Sequence, residues 1–178
     1  MSGTGRRRKR AVTMKKVFDG RLISVFRGDK RFRGGRKAYF EEVRHPGAAL
    51  VVPFVGKRII MIRQLRPVVG EYLWELPAGT LEPGETPYAC ASRETVEETG
   101  FKAGRLKKLG VIYTTPGFCN EKIHIYSTEC VGQEETRRDE DEVIRERLFS
   151  SARVRELFSA GKIVDAKTIS ALSLAGLI

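Results

Sequence analysis

Hydrophobic and polar positions alternate with a period of two over much of this chain, and that rhythm predicts strands. From Val17 to Val43 the pattern is strand-like. Arg21-Leu22-Ile23-Ser24-Val25-Phe26 alternates, Gly28-Asp29 and Gly34-Gly35 mark turns, and a second strand spans Lys37 to Val43 before His45-Pro46-Gly47 breaks the chain. Such a segment is too small to fold alone, and packing as a short appended sheet against a second subunit is one solution. Ala48 to Val55 is a continuous apolar run, the pattern of a strand buried on both faces. Gly56-Lys57 fits a two-residue hairpin, and Arg58 to Leu65 returns as the partner strand. Pro67 and Gly70 open a loop, and Tyr72 to Leu76 is a short strand whose Trp74 is expected in the core. Leu106 to Tyr113 and Lys122 to Val131 read as strands joined by the loop Thr114 to Glu121. Gln133 to Glu142 is polar, charged and aperiodic, and reads as a mobile loop. Ser150 or Ser151 caps a helix with Val154, Leu157 and Phe158 on one face, stopped by Gly161, and Asp165 caps a last helix with Ile169, Leu172 and Leu177 on a stripe. The order of elements predicts an α/β fold, a mixed sheet sandwiched between helices.

One stretch breaks the rhythm of two. Gly79 to Phe101 reads GTLEPGETPYACASRETVEETGF. Gly79 and Pro83-Gly84 are turn signals, Thr86 is the N-cap, Pro87 takes the first helical position, and Gly100 ends a helix over Pro87 to Thr99. On that helix Glu94, Glu97 and Glu98 fall at i, i+3 and i+4 and share one face, while Tyr88, Ala91 and Thr95 are expected to pack on the core. Like charges this close repel and raise one another's pKa. Hard divalent cations resolve the conflict, and Mg²⁺ in particular takes a few carboxylate oxygens, waters and substrate phosphates. The turn before the helix adds the Ala78 carbonyl, and Arg93 is placed to neutralise Glu85. A solvated acidic helix face is the alternative, but loop, cap, Arg-Glu pair and closing glycine coincide here.

Composition adds limits. The 178 residues suffice for one domain with a sizeable core, and 41% hydrophobic against 31% charged residues reads as soluble and globular. No apolar run reaches the roughly 20 residues of a membrane helix, and no apolar stretch follows the basic N-terminus as in a signal peptide. Cys90, Cys119 and Cys130 are odd in number and have no metal-ligand spacing; Cys90, on the helix, is expected as a buried free thiol, and a reducing cytoplasm fits best. Of the formal charge of +11, the run Arg6 to Arg10 supplies five, leaving a moderately basic body. A basic run of this kind contacts nucleic acid in some proteins, but a solvated, disordered terminus is the expectation here, and neither nucleic acid nor membrane is an expected partner.

The segment from Gly79 resembles the Nudix box, G-x5-E-x7-R-E-U-x-E-E-x-G-U with U apolar. Gly79, Glu85, Arg93, Glu94, Glu97, Glu98, Gly100 and Phe101 match, and Thr95 at an apolar position is the one departure. Buried, its hydroxyl needs a partner. The resemblance extends over most of the chain from Val17. HPGAALVVP, IRQLRP, EYLWELPAG, GKIVDAKTISAL and Pro116 in TTPGFCNE are similar to the ADP-ribose pyrophosphatase group of Nudix hydrolases. It implies the Nudix fold with a small N-terminal antiparallel sheet. It also implies Mg²⁺ (Mn²⁺ as substitute), hydrolysis of ADP-ribose to AMP and ribose 5-phosphate, and a homodimer exchanging that sheet. Three regions follow: a tail over 1–13, a dimerisation sheet over 14–45, and the hydrolase domain over 46–178.

Carried over residue by residue, the Ala78 carbonyl, Glu94 and Glu98 resemble metal ligands, with Glu97 as a further ligand or water holder. Arg93 and Glu85 complete the catalytic box, and Glu98 doubles as a candidate base. Glu142, in EDEVIR, resembles the loop glutamate that takes the attacking water's proton, and Glu140 is the other carboxylate on that loop. Gln64, Arg66 and Glu121 resemble substrate contacts, and Glu41 a purine contact from the partner subunit. Many members of the group carry Arg immediately before that Glu; this chain has Phe40, which leaves the nucleotide moiety more open than the reaction. Another nucleotide sugar or a dinucleotide is the alternative substrate, and a non-catalytic sensor or nucleic-acid-binding module the alternative class. The intact carboxylate set argues against the last, because a pure binder has no need of every one.

Overall fold

The computed structural model describes residues 14–134 and 144–178, and all structural statements refer to these. Strands β1 (Lys15–Asp19), β2 (Ser24–Arg31) and β3 (Lys37–Arg44) form an antiparallel sheet in that order. Gly28-Asp29 does not turn the chain, contrary to the sequence reading. Gly28 sits inside β2 opposite Phe40, and the reversal comes later, around Gly34 and Gly35, both at positive φ. Thr115–Asn120 belongs to the same compact unit as this sheet. The Val43 amide donates to the Phe118 carbonyl at 2.8 Å, and the Asn120 side chain accepts from the His45 amide at 2.8 Å. Phe18, Leu22, Phe32 and Tyr39 remain exposed on this unit.

The second unit comprises Pro46–Thr114 and Glu121–Ile178. Its elements are β4 (Ala48–Val55), β5 (Arg58–Arg66), β6 (Glu71–Glu75), β7 (Ala78–Thr80), α1 (Pro87–Thr99), β8 (Phe101–Ala103), β9 (Lys107–Tyr113), β10 (Lys122–Gln133), β11 (Ile144–Ser150), α2 (Ser151–Ser159) and α3 (Ala166–Leu174). The strands form one mixed sheet with the path β11-β5-β4-β10-β8; β6 joins β5, β7 joins β4 and β9 joins β10. β4 and β10 run parallel, Ala48 beside Ile123 through Phe54 beside Glu129. The remaining pairs are antiparallel, including the Gly56-Lys57 hairpin, across which Val55 faces Arg58.

The apolar run of β4 is explained by its two faces. Ala48, Leu50 and Val52 join Ile59, Met61, Leu76 and Ile125 in a core with α2 and α3, through Val154, Leu157 and Leu172. Ala49 and Val51 turn the other way, against Cys90 and Ala91 of α1 and against Leu106 and Tyr126. A strand with helices on both faces has no position for a polar side chain. Trp74 packs at the edge of the first core, edge-on to Phe149 at 5.0 Å. Leu177 lies beyond the end of α3 but is still buried, and Phe158 is exposed because α2 turns only Val154 and Leu157 inward.

The charge is distributed more sharply than composition implied. Residues 46–178 carry 18 basic and 18 acidic side chains, so the entire formal excess belongs to the first 45 residues. The main unit is neutral rather than moderately basic.

Candidate active site

Local sequence builds α1 as expected. The Thr86 hydroxyl accepts from the Ala89 amide at 3.2 Å, Pro87 opens the helix, and Gly100 closes it in the left-handed conformation, φ 71°, its amide donating to the Val96 carbonyl at 2.7 Å. Ala91 and Thr95 face the core. The buried Thr95 hydroxyl donates to the Ala91 carbonyl at 2.7 Å, so a polar group at an apolar position of the box is satisfied within the helix. Tyr88 is half exposed rather than in the core; its ring lies edge-on to Tyr126 at 6.2 Å.

What α1 packs on decides the site. β7 runs beneath it, and four side chains of the helix engage that strand. Glu98, 2% exposed, accepts from the Ala78 amide at 2.9 Å. Glu94, 9% exposed, lies against Gly79, where a Cβ would fall 1.6 Å from its Oε1. Arg93 donates to the Thr80 carbonyl at 3.3 Å. The Cys90 thiol donates to the Gly79 carbonyl at 3.5 Å; burial foremost, with Glu94 and Glu85, pushes its pKa up to about 12, so it is an inert donor. Glycine at 79 is therefore a steric requirement of the Glu94 carboxylate.

Arg93 does more than neutralise Glu85. It grips Glu85 side-on, Nε to Oε1 at 2.9 Å and Nη2 to Oε2 at 3.1 Å, while Nη1 reaches Glu94 at 2.6 Å and Glu97 at 2.7 Å. One guanidinium thus holds three carboxylates, which explains how the acidic face is tolerated. The hydrogen bond to Glu85 and the charges of Glu94 and Glu97 raise the Arg93 pKa further. Glu85 is held below its ordinary value, by Arg93 first and by the Glu82 amide in addition.

A second charged cluster was not foreseen in the sequence. Arg66 grips Glu75 side-on, Nε to Oε1 and Nη2 to Oε2, both at 2.7 Å. Glu75 is 0% exposed and also accepts from Lys167, which donates to Asp165 at 2.8 Å. Burial is the largest influence on the Glu75 carboxyl and pushes it up, but Arg66 and Lys167 together outweigh it, and the net shift is downward from 4.5. A carboxylate depressed on folding contributes stability above its unfolded value, and that contribution is lost as pH falls through the folded value. Glu75→Gln is therefore expected to lower Tm at neutral pH, by an amount worth roughly 3 kcal/mol, with a gap to the parent that closes in acid below pH 4.5. Thermal melts of both proteins across pH check this; a gap independent of pH would contradict it.

The remaining sequence candidates are dispersed. Gln64 is buried on β5, between Leu73 of β6 and Ile144 of β11. Glu121 stands before β10, accepting from the Thr114 hydroxyl at 2.9 Å. Glu41 belongs to the smaller unit, in a cleft of about 220 Å³ lined with Lys30, Phe40, Glu42, Pro116 and Phe118. Glu140 and Glu142 lie outside the described residues.

Glu94, Glu98 and the Ala78 peptide are the oxygen donors brought together, with Glu97 linked to them through Arg93. Among the described residues no three acidic, histidine or cysteine side chains are close enough to enclose a metal by themselves. Hard oxygen donors in an incomplete set fit a divalent cation that keeps waters and takes substrate phosphates rather than a caged structural ion. The absence of a side chain at Gly79 leaves the space that the Glu94 carboxylate occupies.

A family model described as the NUDIX domain matches residues 43–172. The chain is 34% identical over 167 residues to an ADP-ribose pyrophosphatase of Bacillus subtilis (strain 168), covering 92% of this chain and 90% of that protein. It is 31% identical, over the same length and with the same coverage, to a methanol dehydrogenase activator of Bacillus methanolicus. Among solved structures it is similar to an ADP compounds hydrolase, with TM-score 0.78 and 26% identity over 92% of this chain and 91% of that one.

Proposed function

This chain belongs to the NUDIX family, and on that premise we propose that it hydrolyses the pyrophosphate bond of ADP-ribose to AMP and ribose 5-phosphate, or that of a related nucleoside diphosphate sugar to its nucleoside monophosphate and sugar phosphate. The reaction class rests on one observation above all: Glu94 and Glu98 converge on strand β7, Ala78–Thr80, with Arg93 holding the neighbouring carboxylates. The substrate rests on likeness to the ADP-ribose pyrophosphatase and the ADP compounds hydrolase.

Nudix hydrolases need a divalent metal; we propose Mg²⁺, with Mn²⁺ as a substitute. Glu94, Glu98 and the Ala78 carbonyl would hold it, and Glu97 would add a ligand or hold a water. When bound, such a cation screens the phosphates and makes water a better nucleophile. The chain's own residues do the rest. Arg93 and Glu85 fix the helix to the loop before it, so the carboxylates need no rearrangement. Water adds to phosphorus, the bridging P–O bond breaks, and the water's proton passes to a carboxylate, Glu142 in this proposal. Gln64, Arg66 and Glu121 orient the substrate, and Glu41 of the second protomer contacts the purine. A second reading, another nucleotide sugar or a dinucleotide, is favoured by Phe40 in place of the group's arginine. A panel of ADP-ribose, other nucleotide sugars and dinucleotides with Mg²⁺, scored by products, tests the assignment. AMP and ribose 5-phosphate released fastest from ADP-ribose is the expected result, a preference for another nucleotide sugar or a dinucleotide overturns ADP-ribose as the substrate, and no turnover of any of them overturns the reaction class.

The smaller unit leaves Phe18, Leu22, Phe32 and Tyr39 in water, which motivates the proposal that it buries them against a second copy. Light scattering at micromolar concentration is expected to give a homodimer, and an active monomer would refute this. Among the described residues no helix is long and apolar enough to cross a membrane. Cytoplasmic residence is proposed because Cys90, Cys119 and Cys130 form no disulfide.

A further inference from the structure

Glu75 has no place in the mechanism as described, yet it is the most deeply buried carboxylate joined to a proposed substrate contact. Its strand is otherwise a route into the core: Leu76, the next residue, is fully buried among aliphatic side chains. An ion pair at such depth is a poor source of stability, since desolvation offsets most of the attraction, and an apolar side chain would serve the core as well. The geometry suggests another use. Glu75 takes the Nε and Nη2 edge of Arg66 in two bonds of 2.7 Å. A guanidinium has five N–H groups in a rigid plane, so this grip fixes the plane and leaves three N–H groups, one on Nη2 and two on Nη1, that do not face Glu75. The Arg66 side chain is about a third exposed, whereas that of Glu75 is 1% exposed. The hydrogen bonds to Glu75 foremost, with the charges of Glu75, Glu98 and Asp165, raise the Arg66 pKa above its ordinary value against the opposing effect of burial.

The grip is anchored from the far side. Lys167 donates to Glu75 and to Asp165, and Asp165 caps α3 by accepting from the Thr168 amide at 3.0 Å. The buried Thr168 hydroxyl accepts from the Leu76 amide at 2.9 Å. The first turn of α3 is therefore tied to the backbone next to Glu75 and to its carboxylate at once.

We propose that Glu75 is a positioning residue for phosphate recognition: anchored by Lys167 at the start of α3, it orients Arg66 so that the exposed edge of the guanidinium meets a phosphate of the substrate beside Glu98. This rests on the reading of the chain as an ADP-ribose hydrolase with Arg66 as a substrate contact. An arginine held this way gives a bidentate contact without the entropy loss of ordering a long side chain when substrate arrives.

The test is a double-variant cycle on the full chain, with ADP-ribose and Mg²⁺, and with folding checked by circular dichroism. Arg66→Ala and Glu75→Gln are each expected to raise KM about tenfold with little change in kcat, the behaviour of a contact made equally in ground and transition states. The combined variant is expected to match Arg66→Ala alone, because Glu75 acts only through Arg66. Losses that multiply, or a Glu75→Gln enzyme with the parent's KM, would overturn the proposal. Should Glu75→Gln not fold, Lys167→Met in the same cycle is judged by the same criterion. A parent enzyme inactive on ADP-ribose would refute the underlying reading; an active parent with multiplicative losses would refute this inference alone.

Discussion

Replacing Glu98 by Gln is expected to lower kcat by about two orders of magnitude or more while leaving the fold intact. Both halves follow from its position. Glu98 is nearly inaccessible and accepts the Ala78 amide at 2.9 Å, which ties α1 to β7. The amide oxygen of Gln accepts the same N–H, so the docking survives. What is lost is a full negative charge on a proposed metal ligand, at the centre where phosphate charge must be neutralised. Weaker Mg²⁺ affinity and lower kcat should appear together. Full turnover by the variant, or by the parent in excess chelator, would sink the metal assignment.

Gly79→Ala is expected to cost about as much activity, roughly 100-fold, without removing any ionisable group. The added methyl would lie 1.6 Å from Glu94 Oε1 and 2.0 Å from its Cδ. Atoms cannot share that space, so one must move. Gly79 is absent from the glycines at positive φ, so alanine imposes no backbone strain. The group that yields is the end of a flexible side chain, and the Glu94 carboxylate swings off β7. Stability should therefore change little while metal affinity and kcat fall together. A melting temperature that collapses would mean that the backbone moved instead; unchanged turnover would mean that Glu94 is not needed where it stands.

These two variants also divide what was legible in the chain from what was not. α1 was readable to the residue because its signals are local. A hydroxyl at the N-cap, proline after it, glycine at the end and carboxylates three and four apart act within a few residues of one another. β4, β5 and β10 were readable because burial on both faces or on one leaves a clear apolar pattern. β11 was missed because Arg145, Glu146 and Arg147 suggest a loop, whereas an edge strand tolerates charge. β1, β7 and β8 are three to five residues long, too short for any period to register. Turn chemistry was over-read at Gly28-Asp29, where the pairing of β2 with β3 overrides the local preference.

The sequence by itself determined the family, the helix, and the carboxylate set with its arginine, because a helix converts spacing along the chain directly into a shared face. Tertiary structure alone decided that β7 passes under that helix, so that Gly79 makes room for Glu94 and Ala78 holds Glu98. It alone decided that Arg93 serves three carboxylates rather than one. It also joined Glu75 to Lys167, 92 residues away, through a buried contact for which no local pattern stands in the chain. The physical reason is common to all three. Buried charge must find its partner wherever the sheet and the helices bring one within reach, and only the folded core sets those distances.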